Sequence, residues 1–319
     1  MSTKSRVLGI LEKNTGTHVS GEQIASMLSL SRTAVWKAVK SLQSDGYLIS
    51  AAPNKGYLLE ESDVLSAEGI CSRLLPKYAN TVVIVKTSTG STNADAKVLV
   101  AAGAQHGTVI LAEEQTAGRG RYGKSFFSPK DTGIYLSIIG RLGLSFSDAS
   151  MITTAAGVAV CRSIEAVSDL TPMIKWVNDI FLDGKKIGGI VTEAISDIES
   201  GTVESVIVGV GINFKTSEFP EDLRSIAGPL FPKNFPLTRN AFAAVLINNL
   251  LDMFSDFPEK NFIDEYRSRS LVLGKEIRFL ERNVWHTAQA LGIDDKGGLI
   301  VETDGKIRIL TSGEVSVRL

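Results

Sequence analysis

At 319 residues, with 44% hydrophobic and 22% charged positions, the chain has room for about two domains, or three small ones, and enough apolar mass for a real core. No apolar run approaches the roughly 18 residues of a membrane span, and the polar, basic start runs straight into an amphipathic pattern without a signal peptide. A cytoplasmic protein with no membrane association is expected. Cys71 and Cys161 are far apart, which argues for a reduced compartment and against zinc or a disulfide framework. The net charge of −1 hides an asymmetry, because residues 1–59 carry seven Lys or Arg against three acids, a head of +4 on a body of −5. That split directs attention to nucleic acid at the front.

Val7, Leu8, Ile10 and Leu11 recur at helical spacing and predict a first short helix. Ser20-Gly-Glu-Gln23 reads as a capping box opening a second helix, with Ile24, Met27 and Leu28 expected inward. After a break at Ser29-Leu30, Ser31 caps a third helix whose Val35, Ala38, Val39 and Leu42 form one apolar stripe. Its opposite face carries Arg32, Thr33, Trp36, Lys37 and Lys40. Tyr47–Ile49 and Gly56–Leu59 predict two short strands around Ala52-Pro-Asn-Lys55. Three helices and a hairpin make a winged helix-turn-helix over residues 1–62. Its third helix, from Ser31, is placed to enter a major groove, with lysines on phosphates and Lys55 of the wing beside them. The plainer alternative for Arg32, Lys37 and Lys40 is a solvated helix face. Residues 60–66 are polar and acidic and read as a linker.

From residue 67 to 270 helical and strand patterns mix, predicting an α+β domain with one mixed sheet. Strands are expected at Val82–Thr87, Val109–Glu113, Ile134–Ile139 and Val203–Val210, and helices at Asn93–Ala102, Asp148–Ser168 and Arg239–Phe257. Gly118-Arg-Gly-Arg-Tyr-Gly123 matches the dinucleotide pattern formally. The next regular segment is a strand, not the helix whose N-terminus would receive a pyrophosphate, so that reading fails. Two arginines in a glycine-rich loop suggest an anion clamp instead; the alternative is a structural turn.

Ile174–Leu182 and Lys185–Val191 flank Asp183-Gly184, a strong hairpin signal. A regular register pairs Leu182 with Lys185, Phe181 with Lys186 and Asp179 with Gly188. Asp179 and Lys186 are then diagonal neighbours on one face, with Gly188 and Gly189 leaving an open floor. An exposed cross-strand ion pair is the alternative. Gly209-Val-Gly-Ile-Asn213 ends a strand with two glycines facing one side, open to a ligand or to packing.

In this order and behind a winged helix, the clusters resemble the bifunctional biotin protein ligases that double as biotin operon repressors, over essentially the whole chain. Ser91-Thr-Asn93 matches the biotin-contacting turn, Gln115 and Gly118–Arg121 the biotin and adenylate loop, and Lys175-Trp-Val-Asn-Asp179 the Lys-Trp-Pro-Asn-Asp motif. Lys186-Ile-Gly-Gly189 corresponds to the lysine-bearing strand, and Gly209–Asn213 closes the site. Gly90, Val177 and Phe126 depart from the usual aspartate, proline and tryptophan.

The resemblance implies that biotin and ATP form a biotinyl-adenylate, with magnesium carried mainly by phosphates, and that biotin then passes to a lysine of a biotin carboxyl carrier domain. It implies Arg121, Lys186 and Asp179 as catalytic, and Ser91, Thr92, Asn93, Gln115, Arg119, Gly120, Arg121 and Lys186 at biotin. Gly118, Arg119, Arg121, Lys175, Asn178 and Asn213 are implied at the adenylate. Operator DNA and a ligand-promoted homodimer complete the expected partners.

Residues 214–236, with Phe219, Phe231 and Phe235, lack periodicity and are expected to fold partly over the adenylate. From 271 to 319, five short runs separated by Asp294-Asp-Lys-Gly-Gly298 and Asp304-Gly305 predict an SH3-like small β-barrel. Two other readings stand beside the ligase-repressor: a metabolite-sensing transcription factor without chemistry, and a lipoate or octanoate transfer enzyme.

Overall fold

A computed structural model describes residues 2–197, 202–281, 284–311 and 314–317. The chain divides into two compact units, residues 1–85 with 235–248, and residues 86–234 with 249–319.

The first unit opens with α1 (Thr3–Lys13), α2 (Gly21–Leu28) and α3 (Arg32–Ser44), followed by the antiparallel pair β1 (Ile49–Ala52) and β2 (Gly56–Leu59). The capping box forms as expected: the Gln23 amide donates to Ser20 Oγ and the Ser20 amide to Gln23 Oε1, both at 3.0 Å. Ser31 Oγ accepts from the Ala34 amide at 3.1 Å and starts α3. Val7, Leu11, Ile24, Val35, Leu42 and Leu59 close one apolar core. Met27, expected inward, is 69% exposed. Ile24, Ala25 and Leu28 centre the inward face about 50° round from Ile24, which leaves Met27 about 110° off it at 100° per residue. The first wing strand begins at Ile49 rather than Tyr47, whose buried ring belongs to the core. After it, α4 (Ala67–Cys71) follows the linker. The linker is tied down by Arg239 and Asn240: the Arg239 amide donates to Asp63 Oδ1 at 2.6 Å, and the Ser66 amide to Asn240 Oδ1 at 3.0 Å.

In chain order there follow β3 (Val83–Lys86), α5 (Thr92–Ala101), β4 (Val109–Ala112), β5 (Ile134–Gly140), α6 (Phe146–Glu165), β6 (Met173–Lys175), β7 (Asp179–Leu182), β8 (Lys185–Asp197) and β9 (Thr202–Ile212). The strands form one seven-stranded sheet of order β3-β4-β5-β9-β8-β7-β6. Neighbours from β4 to β6 pair antiparallel, and a parallel bridge Thr89–Gln115 runs beyond the β4 end. Strands β4 and β5 are buried throughout, which explains why they read as continuous apolar runs rather than alternating ones. Ala96 and Val100 of α5 pack on Ile110, Ile139 and Ile207, fixing that helix against the sheet.

Three more helices complete the helical set among the described residues, α7 (Glu221–Arg224), α8 (Arg239–Asp256) and α9 (Phe262–Ser268). The remaining strands are β10 (Glu276–Glu281), β11 (Val284–Ile293), β12 (Leu299–Thr303), β13 (Lys306–Leu310) and β14 (Glu314–Val317), antiparallel in the order β13-β12-β11-β10-β14. Ile277, Phe279, Ala288, Ala290, Leu299 and Val301 supply their buried side.

Candidate active site and DNA-binding face

The outer ends of β5, β7, β8 and β9, the start of α5 and the Gly118–Phe126 loop enclose a cavity of about 410 Å³. At one end Ser91 is the N-cap residue of α5 with its own hydroxyl unspent on the helix, so that group is left for the cavity it lines. The Thr92 amide donates to Gln115 Oε1 at 2.9 Å, and Gln115 Nε2 donates to Ser128 Oγ at 3.0 Å. Asn93 lies beneath, its amide nitrogen 3.0 Å from Glu193 Oε2 and its amide oxygen 2.6 Å from Ser137 Oγ.

The glycine-rich loop folds back on itself through Gly120 N–H to Lys124 O at 2.6 Å and Phe126 N–H to Gly118 O at 2.9 Å. Arg119, Gly120 and Arg121 all line the cavity. Arg119 is exposed, whereas Arg121 is half-buried and held: its Nη1 donates to Asn178 Oδ1 at 3.2 Å and its guanidinium lies 5.1 Å from the Tyr122 ring centre. Gly118 is buried behind the wall, where a Cβ would sit 2.6 Å from Phe126 O. The loop leads to the strand β5, in keeping with the failure of the dinucleotide pattern.

The β7–β8 hairpin keeps the predicted pairs Leu182–Lys185 and Phe181–Lys186, then slips by one at a bulge, so Asp179 faces Gly189 and not Gly188. The extra residue, Ile187, is buried. Gly188 consequently points away, toward Ile212, and Gly189 alone supplies the open floor. Asp179 and Lys186 still share a face, and Lys186 Nζ donates to Asp179 Oδ1 at 2.6 Å. Asn178 Nδ2 donates to the same carboxylate oxygen at 3.1 Å and to Ile190 O at 3.0 Å. Two cations from separate segments are therefore joined through Asn178 and Asp179 along one cavity wall. Lys175 lines the same wall, 5.8 Å from the Phe181 ring centre.

The glycines of β9 are filled by the protein itself. A Cβ on Gly209 would lie 2.2 Å from Asn93 Oδ1, and one on Gly211 2.6 Å from the Phe126 ring. Asn213 is buried away from the cavity, donating to Lys186 O at 3.3 Å and Gly228 O at 3.2 Å. It ties the 226–230 segment to β8, where the Lys186 amide also donates to Ile226 O at 2.8 Å. Leu223 of α7 and Ile226 of that segment line the cavity.

Ser137 and Glu193 are site neighbours that sequence reasoning missed, whereas Leu223 and Ile226 come from the 214–236 segment expected over the adenylate. A lone hydroxyl inside the apolar run Ile134–Ile139 was the one signal pointing to Ser137. Trp176 is 3% exposed and its indole N–H donates to Gly297 O at 2.9 Å, which joins the β6–β7 connection to the β11–β12 turn. Below it, Tyr266 donates to Val177 O at 3.0 Å, and burial pushes its phenol far above the usual range, so it stays a neutral donor.

On α3, Arg32, Thr33, Trp36, Lys37 and Lys40 are all exposed, with Trp36 at 51%. Ser31 and, in the wing, Lys55 are exposed too. The basic face presents side chains of the kind that reach phosphates and base edges.

A helix-turn-helix module, a sheet cavity with convergent cations and a small antiparallel tail define a DNA-binding protein fused to an acyl-activating domain. The chain matches the family models for the HTH domain over residues 3–58, the biotin/lipoate A/B protein ligase family over 82–213, and the biotin protein ligase C-terminal domain over 272–318. It is 34% identical to the bifunctional ligase/repressor BirA of Bacillus spizizenii, over 94% of each chain. It is 31% identical to the biotin–[acetyl-CoA-carboxylase] ligase of Mycobacterium tuberculosis, over 72% of this chain and 87% of that one. Among solved structures, the biotin protein ligase of Aquifex aeolicus in complex with biotin and ATP superposes with a TM-score of 0.63, at 26% identity, covering 74% of this chain and 98% of that one. The chain belongs to the biotin protein ligase family, in its bifunctional ligase/repressor form.

Proposed function

We propose that the chain joins biotin to ATP as biotinyl-5′-adenylate, passes biotin to a lysine of a biotin carboxyl carrier domain, and represses transcription from a biotin operator. The observation that carries this reading is the cavity itself. A polar end built from Ser91, Thr92 and Gln115 suits a cyclic urea, and a cationic wall of Arg121, Lys186 and Lys175 suits a carboxylate meeting an α-phosphate. Attack of the carboxylate oxygen on that phosphorus releases pyrophosphate, and two anions must be brought together to do it. Fixed positive charge aimed at the phosphoryl oxygens lowers that barrier without reorganisation. Asn178 and Asp179 hold Arg121 and Lys186 in place before substrate arrives.

In the second step a carrier amine displaces AMP from the mixed anhydride. Asp179, the carboxylate on the cationic wall, orients that amine and accepts its proton. Arg119, exposed at the cavity mouth, and Gly120 complete the clamp, while Gly118 and Asn213 act from behind the wall. Among the described residues no cluster of three or more His, Cys, Asp or Glu forms a metal site. Magnesium fits as an ion carried by the phosphates, where it supplies charge neutralisation for the leaving pyrophosphate.

Domains at 1–62, 67–270 and 271–319 separate DNA binding, chemistry and support. Operator binding by a helix-turn-helix calls for two half-sites, so the adenylate-bound form is a homodimer. Such substrates place the protein in the cytoplasm. The test is transfer of radiolabelled biotin to a purified carrier domain with ATP and magnesium, with lipoate in parallel. Label on the carrier with biotin alone supports the reading; lipoate transfer moves the chain to the other branch of its family, and no transfer of either acid leaves a sensor.

A further inference from the structure

Lys175, Asn178 and Asp179 reach the cavity from a short stretch that runs from the last residue of β6 to the first of β7. Groups remote in sequence hold that stretch. Tyr266 of α9 is fully buried and donates its hydroxyl to Val177 O at 3.0 Å. Trp176, 3% exposed, donates its indole N–H to Gly297 O at 2.9 Å. A phenol and an indole carry one such proton each, so neither has one left to give a ligand.

The acceptor for Trp176 is itself built. Asp294 Oδ1 accepts the Lys296 amide at 2.9 Å and the Gly298 amide at 2.7 Å, closing the β11–β12 turn around Gly297. Gly297 has φ +79°, and a Cβ there would lie 3.0 Å from Thr154 Cγ2. Arg267, the neighbour of Tyr266, donates from Nε to Ile293 O at 2.7 Å, just before that turn. The end of α9 therefore holds the β6–β7 connection directly through Tyr266 and, by way of the turn, through Arg267. What the connection carries is Asn178, bonded to Arg121 Nη1 at 3.2 Å, and Asp179, bonded to Lys186 Nζ at 2.6 Å.

We infer that Tyr266 and Trp176 are positioning residues for adenylate formation: through the backbone of the β6–β7 connection they set Asn178 and Asp179, and through those the placement of Arg121 and Lys186. The inference rests on the reading that this cavity makes biotinyl-adenylate, and it gives the two buried contacts a part in the first step rather than in carrier docking.

Biotin-dependent exchange of pyrophosphate into ATP reads that step with no carrier present. Tyr266→Phe deletes one oxygen and keeps the ring, and Trp176→Phe deletes the N–H. Each is expected to lower kcat for exchange by about ten- to 100-fold, the cost of a small misplacement of reacting groups. KM for biotin is expected to stay within about twofold, because Ser91, Thr92 and Gln115 sit on other elements. The double variant is expected to lose less than the product of the two single losses, since both act on one connection. A purely structural role predicts a lower melting temperature with parental kcat well below the melt. Carrier docking predicts parental exchange with a raised KM for the carrier domain. Either result overturns the inference, and Tyr266→Phe decides alone should Trp176→Phe fail to fold. Absence of biotin-dependent exchange in the parent chain rejects the adenylation reading itself, whereas parental exchange in the variants of an active parent rejects the positioning role alone.

Discussion

Lys186 and Arg121 come from segments 65 positions apart and meet along one wall through Asn178 and Asp179. Lys186→Ala is expected to slow adenylate formation by about 100- to 1,000-fold, the usual effect of losing one preorganised donor, measured by biotin-dependent pyrophosphate release. Half of that meeting is legible in the sequence. Asp183-Gly184 fixes a hairpin, and alternation then forces Asp179 and Lys186 onto one face whichever pleat they occupy. The bulge was not legible, because Ile187 carries no turn chemistry. The approach of Arg121 was equally hidden, since nothing local in a glycine-rich loop says which strand it will lie against. Gly209→Ala drives a Cβ into Asn93 Oδ1 and is expected to raise the dissociation constant for biotin by at least about tenfold, as titration calorimetry will show.

Among secondary-structure elements, caps were legible because they are local: Ser20 with Gln23, and Ser31 with the Ala34 amide, follow from spacing alone. Met27 was misread because an eight-residue helix has too few positions to define its inward face. Contacts between helices left no such local trace. Between α6 and α9, burial opposes ionisation of Glu265, yet hydrogen bonds from Arg162 and Arg269 hold its carboxyl below the usual glutamate range. A carboxylate depressed on folding stabilises the chain above its unfolded value, and that contribution is lost as pH falls through the folded one. Stability is therefore expected to drop on acidification from the ordinary glutamate value of about 4.3 downward. Glu265→Gln is expected to flatten that drop in pH-dependent thermal melts.

At the scale of the whole molecule, charge and order of motifs carried most of the meaning. A basic head on an acidic body located the DNA-binding module, and the string of five polar clusters located the ligase. Pairings of distant segments stayed hidden, such as the indole of Trp176 on the tail, because no local pattern encodes them. Replacing Lys37 and Lys40 by alanine is expected to weaken operator binding across sequences and to lower the salt slope by about one for each phosphate no longer neutralised, as filter binding at several salt concentrations will reveal. The central claim is that the two converging cations activate the acid. Pyrophosphate exchange into ATP, dependent on biotin, compares the parent chain with Arg121→Ala under saturating substrates. A fall of about 100-fold or more is predicted; exchange at the parental rate in a folded variant contradicts it.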